Sequence, residues 1–121
     1  MKRLFFIFLI SLSITACDKE NKSISEEVLP PPVKSLNAYY DKYANSIDVS
    51  WQYASISEIN NYQLFYSPGG GTTFIDIEAY NTYFHVSNAI KDTTYLFNVR
   101  VVDKLGNRSE GKVIRIFTSK E

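Results

Sequence analysis

The feature that most constrains this chain is a succession of short segments in which apolar and polar residues alternate, beginning at Val33. Residues 47–52 show it most clearly, because Ile47, Val49 and Trp51 alternate with polar side chains. Successive side chains of a β-strand point to opposite sides, so each such segment is typical of a strand with one buried face. No stretch has a helical period, and the high aromatic content of 15% also favours strands.

Seven strands are predicted in this region. They fall at about residues 33–40, 47–52, 61–67, 72–79, 82–87, 94–102 and 112–118. The sequence SPGGG at residues 67–71 closes the third strand, since its glycines permit the positive φ angles of a tight turn. Short strands at this spacing predict an all-β sandwich of two sheets.

The N-terminal segment has a different character. Lys2 and Arg3 precede an apolar run over residues 4–14. This run is too short for a membrane-spanning helix, which needs about 20 apolar residues. A basic start followed by a short apolar run predicts a signal peptide over residues 1–16.

The residues that end this run are Ile14-Thr15-Ala16-Cys17. They resemble the lipobox of bacterial lipoproteins. The resemblance implies that Cys17 receives a diacylglycerol, becomes the first residue of the mature chain and is acylated (palmitate or a similar chain), which anchors the protein to a membrane of the bacterial cell envelope. A buried core cysteine, an intermolecular disulfide and a chance cysteine in an ordinary signal peptide are the alternatives.

Residues 17–32 read CDKENKSISEEVLPPP, with many charges and three final prolines. Such a segment cannot bury enough apolar surface to fold, so it predicts a flexible linker between Cys17 and a domain at residues 33–121. Asp18 and Glu20 resemble sorting signals that retain some lipoproteins at the inner membrane and export others to the cell surface. Of these addresses we favour the outer membrane.

Several segments of the domain resemble the fibronectin type III family in their order and spacing. They are PPPVKSLNA, SIDVSW, INNYQLFYS and TTYLFNVRVVDKLGNRSE. The resemblance implies a seven-stranded, immunoglobulin-like sandwich with Trp51 in the core and a Tyr95 hydroxyl bonded to backbone a few residues upstream. Ile90 stands where the family usually has leucine. Asp92-Thr93 replaces the usual Pro-Gly, and the Arg-Gly-Asp of integrin binding is absent.

The sequence gives little support for catalysis or cofactor binding. The domain has one histidine, His85, without a second nitrogen or sulfur ligand for zinc, and Asp76 with Glu78 lacks the dense oxygen spacing of calcium sites. A net charge of zero does not indicate a nucleic acid partner. We therefore expect no enzyme, no cofactor and no metal site.

Aromatic residues outside the predicted core are the candidate interaction residues. They are Tyr39, Tyr40, Tyr43, Tyr53, Phe65, Tyr80 and Tyr83. Exposed tyrosines favour protein interfaces and also stack on sugar rings, whereas buried ones would plug the ends of the sandwich. The sequence thus indicates a lipid-anchored, non-catalytic module that binds a protein partner through loops or a sheet edge. A glycan-binding accessory domain and a ligand-free structural spacer are the alternatives.

Overall fold

The computed structural model describes residues 28–120. The predicted signal peptide, Cys17 and the acidic residues behind it lie outside the described residues. Seven strands form the domain: β1 (Lys34–Asp41), β2 (Ser46–Gln52), β3 (Ile59–Ser67), β4 (Ile75–Glu78), β5 (Tyr83–Val86), β6 (Thr93–Asp103) and β7 (Lys112–Thr118). They make a three-stranded sheet in the order β1-β2-β5 and a four-stranded sheet in the order β4-β3-β6-β7. The predicted all-β sandwich is confirmed.

The core lies between the two sheets, where the apolar positions of each alternating strand meet. Ile47, Val49 and Trp51 are buried from β2, and Tyr62 and Leu64 are buried from β3. The longest strand, β6, contributes four further buried side chains: Tyr95, Phe97, Val99 and Val101. Burial of one such side chain stabilises the fold by about 1.5–3 kcal/mol. The alternation of the sequence thus fixes which side of each strand faces inward.

The strand bounds differ from the prediction mainly at the turn between β3 and β4. The fourth strand begins at Ile75 rather than near Thr72, because the glycine-rich turn occupies more of the chain. Gly69 and Gly71 have φ angles of +93° and +86°, which other residues adopt only with strain. The first strand has an irregularity, because its register against β2 shifts between Lys34 and Asn37.

The connection between β5 and β6 also differs from the family pattern. Ala89 is buried there and Ile90 is exposed, so Ile90 does not fill the position that leucine usually takes. The Tyr95 hydroxyl accepts a hydrogen bond from the Ile90 backbone N–H at 2.8 Å, as the resemblance implied. Asp92 has a φ angle of +58°, and this left-handed residue accommodates the altered corner.

The end of the predicted linker contacts the domain. The Tyr53 hydroxyl donates to the Pro31 carbonyl oxygen at 3.0 Å. A cavity of about 260 Å³ beside this bond is lined by Val28 and Leu29 on one side and by Ile59 and Asp103 on the other. The chain therefore enters at the pole that carries the β2–β3 and β6–β7 connections.

Candidate binding surfaces on the two sheets

Each sheet turns one face toward the core and the other toward solvent, so the outward side chains form two candidate binding surfaces. The four-strand face comprises Phe65, Phe74, Leu96, Arg100, Val113, Arg115 and Phe117. The three-strand face comprises Tyr39, Asp48, Tyr83 and His85. The register of each sheet determines which of these residues are neighbours.

Several large apolar side chains occupy outward positions on the four-strand face. Phe65 on β3 and Val113 on β7 are both paired with Asn98 of the intervening β6. The rings of Phe65 and Phe74 have centroids 5.9 Å apart. Phe117 is 54% exposed and occupies the last outward position of β7, paired with Thr94. An antiparallel sheet with one face in water usually carries polar residues there, so this apolar surface needs an explanation.

Arg100 is held in a defined position on the same face. Its guanidinium carbon lies 3.7 Å from the centroid of the Phe74 ring, a cation–π contact. Its Nε donates to Gln63 Oε1 at 2.8 Å. Partial burial, together with the nearby charge of Arg108, lowers the pKa of Arg100. The four-strand face therefore presents a fixed, half-buried cation beside an aromatic cluster.

The three-strand face is built around a carboxylate. Asp48 on the central strand β2 is paired with Tyr39 on one side and His85 on the other. Its Oδ1 accepts a hydrogen bond from the Tyr83 hydroxyl at 2.6 Å and lies 2.6 Å from His85 Nδ1. A carboxylate at that distance places the histidine proton on Nδ1. These two hydrogen bonds, that of Tyr83 first, lower the pKa of Asp48.

Comparison with known proteins agrees with this geometry. The sequence model of the family described as "PBP1-like, fibronectin3-like domain" matches residues 34–111. The chain belongs to this family. Domains of the fibronectin type III kind are generally non-catalytic and serve as interaction or spacer modules.

Solved structures show the same fold. The fn3 domain of the human collagen alpha-1(XX) chain aligns with a TM-score of 0.62 and 20% identity, over 80% of this chain and 92% of that one. A Fn3-like protein from Clostridium thermocellum aligns with a TM-score of 0.59 and 21% identity, over 78% of this chain and 98% of that one. No curated protein matches the sequence. At these identities the likeness concerns the fold alone.

The fibronectin type III-like domain does not bring the seven aromatic residues singled out from the sequence into one row. Tyr39 and Tyr83 share the three-strand face, and Phe65 lies on the four-strand face. The remaining four are dispersed: Tyr43 and Tyr80 are exposed in turns, while Tyr40 and Tyr53 pack against the core. The seven candidate residues are therefore divided between the two faces, the turns and the core.

Several residues of both faces were not predicted from the sequence as candidate binding residues. If Phe97 points inward on the predicted sixth strand, Leu96 and Arg100 must point outward. Their outward positions could therefore have been predicted from the alternation. On β7, Ile114 and Ile116 pack against the core, which leaves Val113 and Phe117 outward. The contact between Asp48 and His85 joins residues 37 apart, which no local pattern reveals.

Residues 28–120 contain no group of three or more His, Cys, Asp or Glu side chains placed to hold a metal ion. Over the same residues, no helix has the length and apolar character that crossing a membrane requires.

Proposed function

We propose that this protein is a lipid-anchored, non-catalytic module of the bacterial cell envelope that binds a protein partner through its four-strand face. The single observation that carries the proposal is the cluster of apolar and arginine side chains on that face. Interfaces between proteins are enriched in aromatic residues and arginine at their centres. The four-strand face has both, and the family commonly mediates interactions between proteins.

The composition of this face indicates the chemistry of the partner. Phe65, Phe74 and Phe117 would contact apolar side chains of the partner, because burying apolar area is the main driving force of association. Arg100 and Arg115 would face carboxylates, since the planar guanidinium binds them with two hydrogen bonds. A ligand-free spacer has no need of such a surface and would be expected to carry mixed charges there.

Arg100 favours specific binding because its position is already fixed. The stacking on Phe74 and the bond to Gln63 hold its long side chain in one conformation. An anchor that is ordered before binding loses less conformational entropy when the complex forms. The partner would therefore gain a charge-assisted hydrogen bond at a small entropic cost.

The anchor of the proposed module is Cys17, which lies outside the described residues. Buried acyl chains contribute about 0.8 kcal/mol per CH₂ group, so two or more chains hold a protein stably on a membrane. We propose the outer membrane as its location. A Cys17→Ser variant should be released from the membrane fraction, whereas full retention of that variant would contradict acylation.

Pull-down after in-cell crosslinking tests the proposed interaction. The full-length protein with a C-terminal tag is expressed in its native host, crosslinked, and recovered for mass spectrometry. We expect one stoichiometric protein partner that is lost in Phe117→Ser and Arg100→Ala. Tyr43→Ala is the matched control, because Tyr43 is 91% exposed and lies in a turn away from the face.

The outcomes test partner binding and membrane anchoring separately. Recovery of the protein alone, or of the same partner from all variants, would contradict binding at the four-strand face. Membrane fractionation of the same samples reports on Cys17 independently. Thermal unfolding of each purified variant shows whether a lost partner reflects a lost fold.

A further inference from the structure

We propose that the three-strand face is a second binding site, for a flat carbohydrate chain of β-1,4-linked pyranose rings. It lies on the opposite sheet from the proposed protein site and does not depend on it. The inference starts from a hydrogen-bonded network of exposed side chains, which is unusual because exposed side chains seldom hold one fixed position.

Tyr83 supplies a fixed stacking surface. It is on β5 and is paired with Ser50 of β2, yet its hydroxyl reaches Asp48, the next outward residue of β2. The side chain must therefore run diagonally across the sheet toward β2. Tyr83 is 47% exposed, so part of its ring is accessible to a ligand. A fixed aromatic ring suits the C–H face of a pyranose, since little rotamer entropy is lost on binding.

Tyr39 supplies a second aromatic ring on the other side of Asp48. It is 61% exposed on β1. Neighbouring strands are about 4.8 Å apart, and β2 separates β1 from β5, so the backbones that carry these tyrosines lie about 10 Å apart. Two aromatic rings at that spacing match alternate rings of an extended β-1,4-linked chain.

The polar atoms between the tyrosines complement sugar hydroxyl groups. Both hydrogen bonds to Asp48 use Oδ1, which leaves Oδ2 as an acceptor for a sugar O–H. With the proton on Nδ1, the Nε2 atom of His85 is a second acceptor. Hydroxyl groups can donate to both atoms at once. Asp48 would also repel phosphate or sulfate, so the network favours an uncharged sugar.

A protein partner fits this face less well than a sugar does. Its other outward residues are polar: Asn37, Asp41, Ser50 and Gln52. They provide no aliphatic surface to bury, whereas the hydroxyl groups of a carbohydrate would find hydrogen-bonding partners along the whole face. The two outer faces thus differ in the kind of ligand that each can accept.

Titration calorimetry on the full-length acylated protein in detergent micelles tests this site. The probes are cellopentaose and chitopentaose, which are flat β-1,4-linked chains, and maltopentaose, which coils. We expect saturable binding of at least one flat chain with a dissociation constant of about 1 mM or lower. Tyr39→Ala and Tyr83→Ala should each weaken it about tenfold. Tyr83→Phe should weaken it less, because the ring remains but loses its bond to Asp48.

Tyr43→Ala and Tyr80→Ala are matched controls, since both remove exposed tyrosines that lie in turns off the face. We expect them to leave the affinity within about twofold. The proposal is overturned if neither flat chain binds at about 5 mM. Equal binding of maltopentaose, or equal loss of affinity in the control variants, would also overturn it. Unfolding curves for all variants show that the losses do not come from a damaged fold.

Discussion

The two outer faces of the sandwich are formed in the same way but carry chemically different side chains. Each consists of the outward half of alternating strands, and both rest on one shared core. On the four-strand face Arg100 stacks on the half-buried Phe74, while Val113 and Phe117 are exposed on β7. The three-strand face exposes tyrosines around a carboxylate. The difference shows that strand alternation specifies the core, while outward positions are free to specify ligands.

The largest expected effect comes from the core that supports both faces. Trp51 is buried and packs edge-on against Tyr62, with ring centroids 5.4 Å apart. Trp51→Ala should lower the free energy of unfolding by about 3–5 kcal/mol, since it leaves a large cavity. Urea unfolding measures this change. A loss of less than about 1 kcal/mol would show that Trp51 is not part of the core.

The next largest expected effect is on partner binding, and it distinguishes the two faces. Phe117→Ser should weaken partner binding by about 2 kcal/mol, as expected for an exposed aromatic anchor of an interface. Its effect on the free energy of unfolding should stay near 0.5 kcal/mol or less, roughly the range for surface positions. Tyr39→Ser on the three-strand face should leave partner binding unchanged. Similar losses from both substitutions would remove the functional distinction between the faces.

A smaller effect concerns the corner between β5 and β6, which sets where β6 begins and so aligns the four-strand face. Tyr95→Phe removes the acceptor for the Ile90 N–H and should cost about 1 kcal/mol in the free energy of unfolding. Tyr40→Phe, which removes a hydroxyl bonded to Asn45 at 3.1 Å, is the control and should cost less, because Tyr40 is only half-buried whereas Tyr95 is buried. Chemical unfolding of the two variants compares them, and an equal cost would contradict a special role for Tyr95.

The smallest effect is a pH dependence that belongs to the three-strand face alone. The pKa of Asp48 is lowered from 3.8 by its bonds to Tyr83 and His85. The stabilisation by these bonds is therefore present above pH 3.8 and lost as the pH falls through the lowered pKa. Because 36% of the Asp48 side chain is exposed to solvent, the effect should lie below about 1 kcal/mol. Asp48→Asn should abolish this part of the acid dependence of thermal unfolding; an unchanged acid profile would contradict it.

The sequence predicted the fold well because burial leaves a periodic signature. The inward residues of β2 and β6 alternate strictly, and the predicted last strand, residues 112–118, matches β7. The fourth strand was placed too early, because a turn with three glycines gives no sign of how many residues it occupies.

The candidate sites were less predictable, because they depend on which strands are neighbours. Phe65 was recognised as a candidate without its contact to Phe74, and Tyr83 was recognised without Asp48. Outward residues have no periodicity that distinguishes a binding surface from a solvated one. Only the strand order and register place Tyr39, Asp48 and His85 in one row.

Site-specific photocrosslinking in living cells tests the central claim most directly. A photoreactive phenylalanine analogue replaces Phe117 on the four-strand face, Tyr39 on the three-strand face, or Tyr43 in the β1–β2 turn of the full-length protein. We predict a discrete crosslinked protein adduct from position 117 and none from positions 39 and 43. The absence of an adduct at position 117, or equal adducts at all three positions, would contradict the assignment of protein binding to the four-strand face.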